Sequence, residues 1–208
     1  MAQNTNKKSD KPAPQTPLQQ EAKGSVILLH ACCAICSGYP ISLLKEMGYS
    51  PVVYFCNPNL DTEEEFERRL NAQKTLCKHF DVELIVEEYN HQEYLNYVKG
   101  LEQEPERGSR CDKCIELRLL KTAQKAKELG IEEFTTSLVI SPHKNFQKIS
   151  AIGTGVGKFL ALKYLPLDFK KKDGFLKTNQ ISKELDLYRQ NYCGCEFAFY
   201  NTSRPTSV

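Results

Sequence analysis

LLHACCAICSGYP (residues 28–40) runs from an apolar segment ending in His30, through Cys32, Cys33 and Cys36, to a small-residue turn before Pro40. It reads as strand, reactive loop and helix. Val26–His30 (VILLH) is apolar throughout, as a parallel strand covered on both faces must be. After Pro40, an apolar-periodic segment continues to Met47 and stops at Gly48. In an open α/β sheet, ligands sit at the carboxyl ends of strands. The loop at that place offers sulfur, so metal or redox chemistry is the first expectation.

The same alternation continues outward. Pro51–Cys56 (PVVYFC) is a second predicted strand, and Asn57-Pro58-Asn59 a turn. Asp61 to Glu65 open a long helix with acidic residues at the positive end of its dipole, and Phe66, Leu70, Cys77 and Phe80 share its apolar face. Val82–Val86 is a third strand, His91–Leu101 a shorter helix, and Glu104–Arg110 a loop. Lys113–Leu129 is a strong amphipathic helix ending at Gly130. Phe134–Val139 is strand-like, Ser141-Pro142 opens the next helix, and residues 159–165 hold a short apolar stretch. A polar, basic segment, Asp168–Lys177, precedes a last helix at Gln180–Arg189. Strands alternating with helices imply a doubly wound, parallel α/β sheet with helices on both faces.

Composition bounds the function. The 208 residues suit a single domain over 25–208. Residues 1–24, rich in Lys, Gln, Pro and Ser, read as a disordered tail with no secretory h-region. No apolar run is long enough to cross a bilayer, so no membrane partner is expected. A net charge of +2 leaves any basic surface local. Nine cysteines in a chain without an export signal imply a reducing, cytoplasmic setting, where clustered thiols serve metals or catalysis rather than disulfides.

Seven of those cysteines form three groups: Cys32-Cys33-x-x-Cys36, Cys111-x-x-Cys114 and Cys193-x-Cys195. A Cys-x-x-Cys pair at a helix start places two sulfurs on one side of the turn, where the helix dipole favours thiolate. Four thiolates suffice for a structural zinc or an iron–sulfur cluster, which leaves three over. Adjacent cysteines such as Cys32 and Cys33 are expected to face apart and not to share one ion. An iron–sulfur site with a second metal, a structural zinc and a dithiol redox set all remain open on spacing alone. Cys77 reads as a buried hydrophobe and Cys56 as core packing at a strand end. His30 reads as a satisfied core histidine or a neighbour of the site. Asp112 is a helix cap or, between two ligands, a proton donor. GTGVGK (153–158) departs from a phosphate-loop pattern and reads as a glycine-rich helix end. Arg110, Arg118 and Arg189, with Lys170-Lys171-Lys172, are candidates for a phosphate-contacting rim.

Together, LLHACCAICS (28–37), NPN (57–59), EPERGSRCDKCIELRL (104–119), FTTSLVISPHKN (134–145), LDFKKKDGF (167–175) and SKELDLYRQNYCGCEFAFY (182–200) resemble the cobalamin-independent epoxyqueuosine reductase family, QueH. The joint order of CCxxC, RCxxC and YRQxYCGC makes the resemblance specific. It implies a Rossmann-like fold of the PP-loop, adenine-nucleotide-hydrolase-like group, with the cysteine loop where relatives carry a phosphate loop. It implies a [4Fe–4S] cluster, an adjacent mononuclear iron and no cobalamin. The cluster is assigned to Cys33, Cys111, Cys114 and Cys195. The second iron, and with it the catalytic role, is assigned to Cys32, Cys36 and Cys193, with Asp112 and His30 as candidate proton donors.

The implied reaction deoxygenates epoxyqueuosine at the wobble position of tRNA to queuosine, the last step of its biosynthesis. The implied partners are a tRNA anticodon arm and an unidentified electron donor, with the chain a monomer. Two other readings compete: a zinc-stabilised RNA-binding module without redox activity, and an ATP-dependent PP-loop enzyme. The second lacks its SGGxDS loop here, since CCAICS stands in that place.

Overall fold

The computed structural model describes residues 24–198. The expected tail, but for Gly24, lies outside the described residues. Five strands, β1 (Val26–Ala31), β2 (Ser50–Phe55), β3 (Leu84–Val86), β4 (Glu133–Thr136) and β5 (Lys163–Tyr164), form one sheet in the order β3-β2-β1-β4-β5. Every neighbouring pair is parallel. β1 is central and its residues from Ile27 to Ala31 are buried, which accounts for its unbroken apolar run.

The helices are α1 (Ala34–Glu46), α2 (Glu63–Phe80), α3 (His91–Tyr97), α4 (Ser109–Glu128), α5 (Phe146–Leu160) and α6 (Gly174–Glu184). α1 packs on α2 and α6, and α4 packs on α3 and α5. With right-handed crossovers, the first set covers one face and the second the other. The order of strands reverses between β1 and β4. Residues following these two strands therefore open a crevice at the carboxyl edge, and Cys32 and Cys33 follow β1 directly.

Several boundaries differ from expectation. α1 starts at Ala34, so Pro40 lies inside the helix and not at its first position; it has no N–H to give the Cys36 carbonyl one turn back. α4 starts at Ser109 with Gly108 as N-cap, which puts Arg110, Cys111 and Asp112 inside the helix. Asp112 is thus a first-turn residue and not a cap. β4 ends at Thr136, whose Oγ1 accepts from the Leu138 N–H and bends the chain into a 3₁₀ turn, Ser137–Ile140. Asn145, not Ser141, caps α5, accepting from Lys148 N. The last helix comes earlier than expected, because α6 begins at Gly174.

The glycines of GTGVGK lie within the later turns of α5, and two of them, Gly153 and Gly157, serve packing. A Cβ on Gly157 would stand 2.7 Å from the Leu162 carbonyl oxygen, while one on Gly155 meets nothing within 4 Å. Gly155→Ala is therefore expected to stabilise the fold by up to about 1 kcal/mol through helix propensity. Gly157→Ala is expected to destabilise it by about 1–3 kcal/mol, since backbone cannot give way as a side chain can. Urea unfolding of both variants checks this, and shifts of the same sign would refute the packing account.

Candidate metal centre

The three cysteines after β1 converge. The Sγ atoms of Cys32, Cys33 and Cys36 all lie within 4.8 Å of one another, the one such ligand group among the described residues. This corrects the expectation that these neighbours face apart. Cys33 is the N-cap of α1, in extended conformation, and Cys36 is its third residue. N-cap and N3 side chains face each other, as in a capping box. Cys32 joins them where strand gives way to helix, with its Sγ 3.9 Å from that of Cys33. Ser137, just after β4, accepts from Cys32 N at 3.2 Å and donates to its Sγ at 3.6 Å. The two strand ends at the crevice are thereby joined.

Within the trio, hydrogen bonding favours negative charge on Cys32 over its two neighbours. Thiol hydrogen bonds from Cys33 and Cys36 hold Cys32 well below the ordinary cysteine pKa, against burial. Cys33, bound to that sulfur, is pushed up to about 12, and Cys36 is also raised for the same reason. Gln190 donates from Nε2 to Cys33 Sγ at 2.8 Å, and its Oε1 is buried with no partner among the described residues.

A cleft of about 440 Å³ opens on this group and is also lined by Cys193. Cys193 and Cys195 flank Gly194, whose φ of +110° suits glycine alone. A Cβ there would stand 2.4 Å from Leu60 Cδ2. Arg69 holds this turn, donating from Nη1 to Cys193 O at 3.1 Å and from Nη2 to Tyr192 O at 3.3 Å, while Nε pairs with Glu65 at 2.7 Å. Cys114 and Cys195 pack in one apolar cluster with Tyr94 and Val98, and Cys193 packs against it. Burial raises Cys114 and takes Cys195 up to about 12. Cys111 lines an adjoining cavity of about 630 Å³ with Asp112, Lys144, Lys148 and Lys170. Of these four, Cys193 alone lines the thiol cleft; Cys111 lines the adjoining cavity, Cys114 and Cys195 are buried in the apolar cluster, and the four do not form a second tight ligand group among the described residues.

The electrostatics is unusual. Arg118 is 4 % exposed and bonds Asn57 Oδ1 at 2.8 Å, with Nε unpartnered. Burial works against its charge, yet the sulfurs of Cys114, Cys32 and Cys193 hold its pKa above the ordinary arginine value. Lys144 donates to Cys193 Sγ at 3.6 Å, and charge on that sulfur raises its pKa. Neither cation has a carboxylate partner among the described residues. Buried charge without a partner is costly, so the neighbouring sulfurs are its natural counter-ions. An anionic metal–thiolate group fits such surroundings.

Other predicted residues fall elsewhere. His30 is fully buried; its Nε2 donates to Cys56 O at 3.1 Å and its Nδ1 accepts from Thr136 Oγ1 at 2.8 Å. Burial and Arg118 take its pKa to about 3, so it stays neutral and serves the core rather than proton transfer. Cys56 and Cys77 are core residues. Arg110 is 1 % exposed, gathers the carbonyls of Leu101, Glu102 and Glu104, and stacks on Phe197 at 4.8 Å. Arg110 and Arg118 therefore do not form a surface rim, whereas Arg189 is exposed. Asp112 pairs with Lys148 at 2.8 Å. Sequence reading assigned no role to Lys144, Arg69 or Gln190, since single polar residues on separate elements carry no spacing signal. Asn57, a turn residue by sequence, also donates from Nδ2 to Ala31 O, tying the end of β1 to Arg118.

The model of one protein family, epoxyqueuosine reductase QueH, matches residues 27–201. The chain belongs to the QueH family. A QueH from Streptococcus pyogenes serotype M1 is 42% identical over 186 residues, covering 86% of this chain and 72% of that protein. One from Staphylococcus epidermidis is 36% identical, with 86% and 79% covered. Among solved structures, the U34-tRNA thiolase NcsA from Methanococcus maripaludis, determined with its [4Fe–4S] cluster, superposes with a TM-score of 0.54. It is 15% identical, with 86% of this chain and 64% of that chain covered. NMN synthetase from Francisella tularensis gives 0.51 at 14% identity, with 85% and 71% covered. At that identity the likeness is one of fold: a parallel sheet with helices on both faces. Among the described residues, no helix is long and apolar enough to cross a membrane.

Proposed function

We propose that this chain reduces epoxyqueuosine to queuosine at the wobble position of tRNA, using a [4Fe–4S] cluster and an adjacent iron held by the cleft thiols. The observation that carries this reading is the convergence of three sulfurs at the crevice between β1 and β4, beside the buried Arg118 and the half-buried Lys144, neither of which has a carboxylate partner among the described residues. Soft thiolate donors suit iron–sulfur or zinc centres and not hard, oxygen-seeking ions. The relatives' name supplies the reaction, and the thiolase of similar fold carries such a cluster.

In this reading Cys33, Cys111, Cys114 and Cys195 hold the cluster, and Cys32, Cys36 and Cys193 the second iron. With their sulfurs 3.9 Å apart, Cys32 and Cys33 are interchangeable in that division. When bound, the metal group supplies electrons and a Lewis-acidic site for the epoxide oxygen. Epoxide to alkene takes two electrons, from an external donor and without cobalamin, and two protons, and releases water. Lys144, kept cationic beside Cys193, stabilises negative charge developing on the departing oxygen. Asp112 lines the adjoining cavity with Lys144 and relays protons from solvent. The unpartnered Oε1 of Gln190 accepts a hydrogen bond from the substrate.

Anaerobic purification, iron and sulfide analysis and an assay on epoxyqueuosine-containing tRNA test the proposal. The expected protein is brown and converts the base. Asp112→Asn is expected to keep its iron and to slow conversion about a hundredfold, the low end for a lost general acid. A colourless, zinc-only protein that binds RNA without reducing it would overturn the reading.

A further inference from the structure

Phe175 is left 39 % exposed on the wall of the thiol cleft, yet it is firmly placed. Gly174 before it fits so closely that an added Cβ would stand 1.8 Å from the Phe169 carbonyl oxygen and 2.7 Å from the Tyr39 ring. Three residues on, Thr178 Oγ1 donates to Ile35 O and accepts from Tyr39 N. The first two turns of α6 are thereby pinned to α1, the helix that carries Cys36. Asn179, one helical turn beyond Phe175 and on the same face, accepts from Arg189 Nη1 at 3.0 Å.

The cleft that Phe175 enters is cationic. Arg69, Arg107, Arg118, Lys144 and Arg189 line it against a single carboxylate, Glu106. Lys171 and Lys172, just before α6, are exposed. An apolar protein segment would find no match for these charges, whereas a polyanion with aromatic faces would. A fixed aromatic ring in a basic groove is the chemistry by which single-stranded nucleic acid is held.

We infer that Phe175 is a stacking platform for the nucleobase that flanks the modified nucleotide, with Arg189 meeting the adjoining phosphate. Stacking the neighbour on protein frees the modified base from its own stack, so that it can turn into the cleft. The inference rests on the tRNA reading given above.

The test uses the full chain and an anticodon stem-loop with 2-aminopurine placed in turn on either side of the wobble nucleotide. Wild-type protein is expected to quench one of the two positions. Phe175→Ala is expected to bind about tenfold more weakly, as loss of one base–aromatic stack implies, and to lose that quench. Phe175→Trp is expected to restore both. Iron content and melting temperature should be unchanged in Phe175→Ala, because the ring is not core. Phe175→Ala binding within twofold of wild type with the quench intact would overturn the platform. So would unchanged RNA binding with slower reduction by a protein electron donor, which would make Phe175 a protein contact. Wild-type protein that binds no stem-loop would instead remove the tRNA reading itself, and the platform with it.

Discussion

Cys32→Ala is expected to leave a folded protein that retains no catalytic iron and converts epoxyqueuosine more than about a hundredfold more slowly. The bound follows from outer-shell partners of metal ligands, whose loss alone costs about 10–100-fold. Folding should survive, because Cys32 is only partly buried and the bond from its backbone N–H to Ser137 does not involve sulfur. The contrast is Cys77→Ala. Cys77 sits in the core with Gln73 Nε2 3.4 Å from its sulfur and belongs to no ligand group among the described residues. That variant is expected to keep iron and rate, and to lose on the order of 1 kcal/mol of stability with the buried thiol. Iron per chain, the visible spectrum, turnover and a urea melt of both variants separate the two roles. Full iron in Cys32→Ala, or iron loss in Cys77→Ala, would remove the convergent trio from the metal centre.

The centre of the sheet was legible because β1 and most of β2 are buried. VILLH and PVVYFC are nearly continuous apolar runs, and their alternation with helical segments points to a parallel sheet covered by helices. Helix starts were less so, for a local reason. Pro40 reads as a first-turn proline, yet α1 begins six residues earlier, at Ala34, and tolerates it inside. The same error hid the geometry of the site. With Cys32, Cys33 and Cys36 all placed in a loop, neighbouring side chains point apart; with Cys33 as N-cap and Cys36 in the first turn, they meet. Cysteine number and grouping exposed the chemistry, since thiols in clusters are rare enough to carry meaning. The cations around them could not be found that way. Arg118 lies on α4, Lys144 before α5 and Arg69 on α2, and only the fold brings them to one cleft.

Arg118 therefore makes the sharper test of the site's charge. In metal-free protein its guanidinium is buried against Asn57 with no carboxylate partner among the described residues. Arg118→Met removes a poorly compensated charge and leaves Asn57 Oδ1 short of a donor. The first effect favours the variant by about 1–4 kcal/mol, and the second opposes it by about 1–3 kcal/mol. Metal-free stability should consequently change little. Metal binding is different, because thiols must ionise to become ligands. Cys32, Cys114 and Cys193 all interact with Arg118, and a unit pair near a protein surface is worth about 4 kcal/mol at 4 Å, less with distance. The variant is expected to lose iron to a chelator about a hundredfold faster than wild type, and the rise in melting temperature on metal loading should shrink. Melts with and without metal, and chelator kinetics, measure both. Equal destabilisation of the two forms with unchanged iron retention would show that Arg118 only packs the core and that the sulfurs need no buried counter-charge.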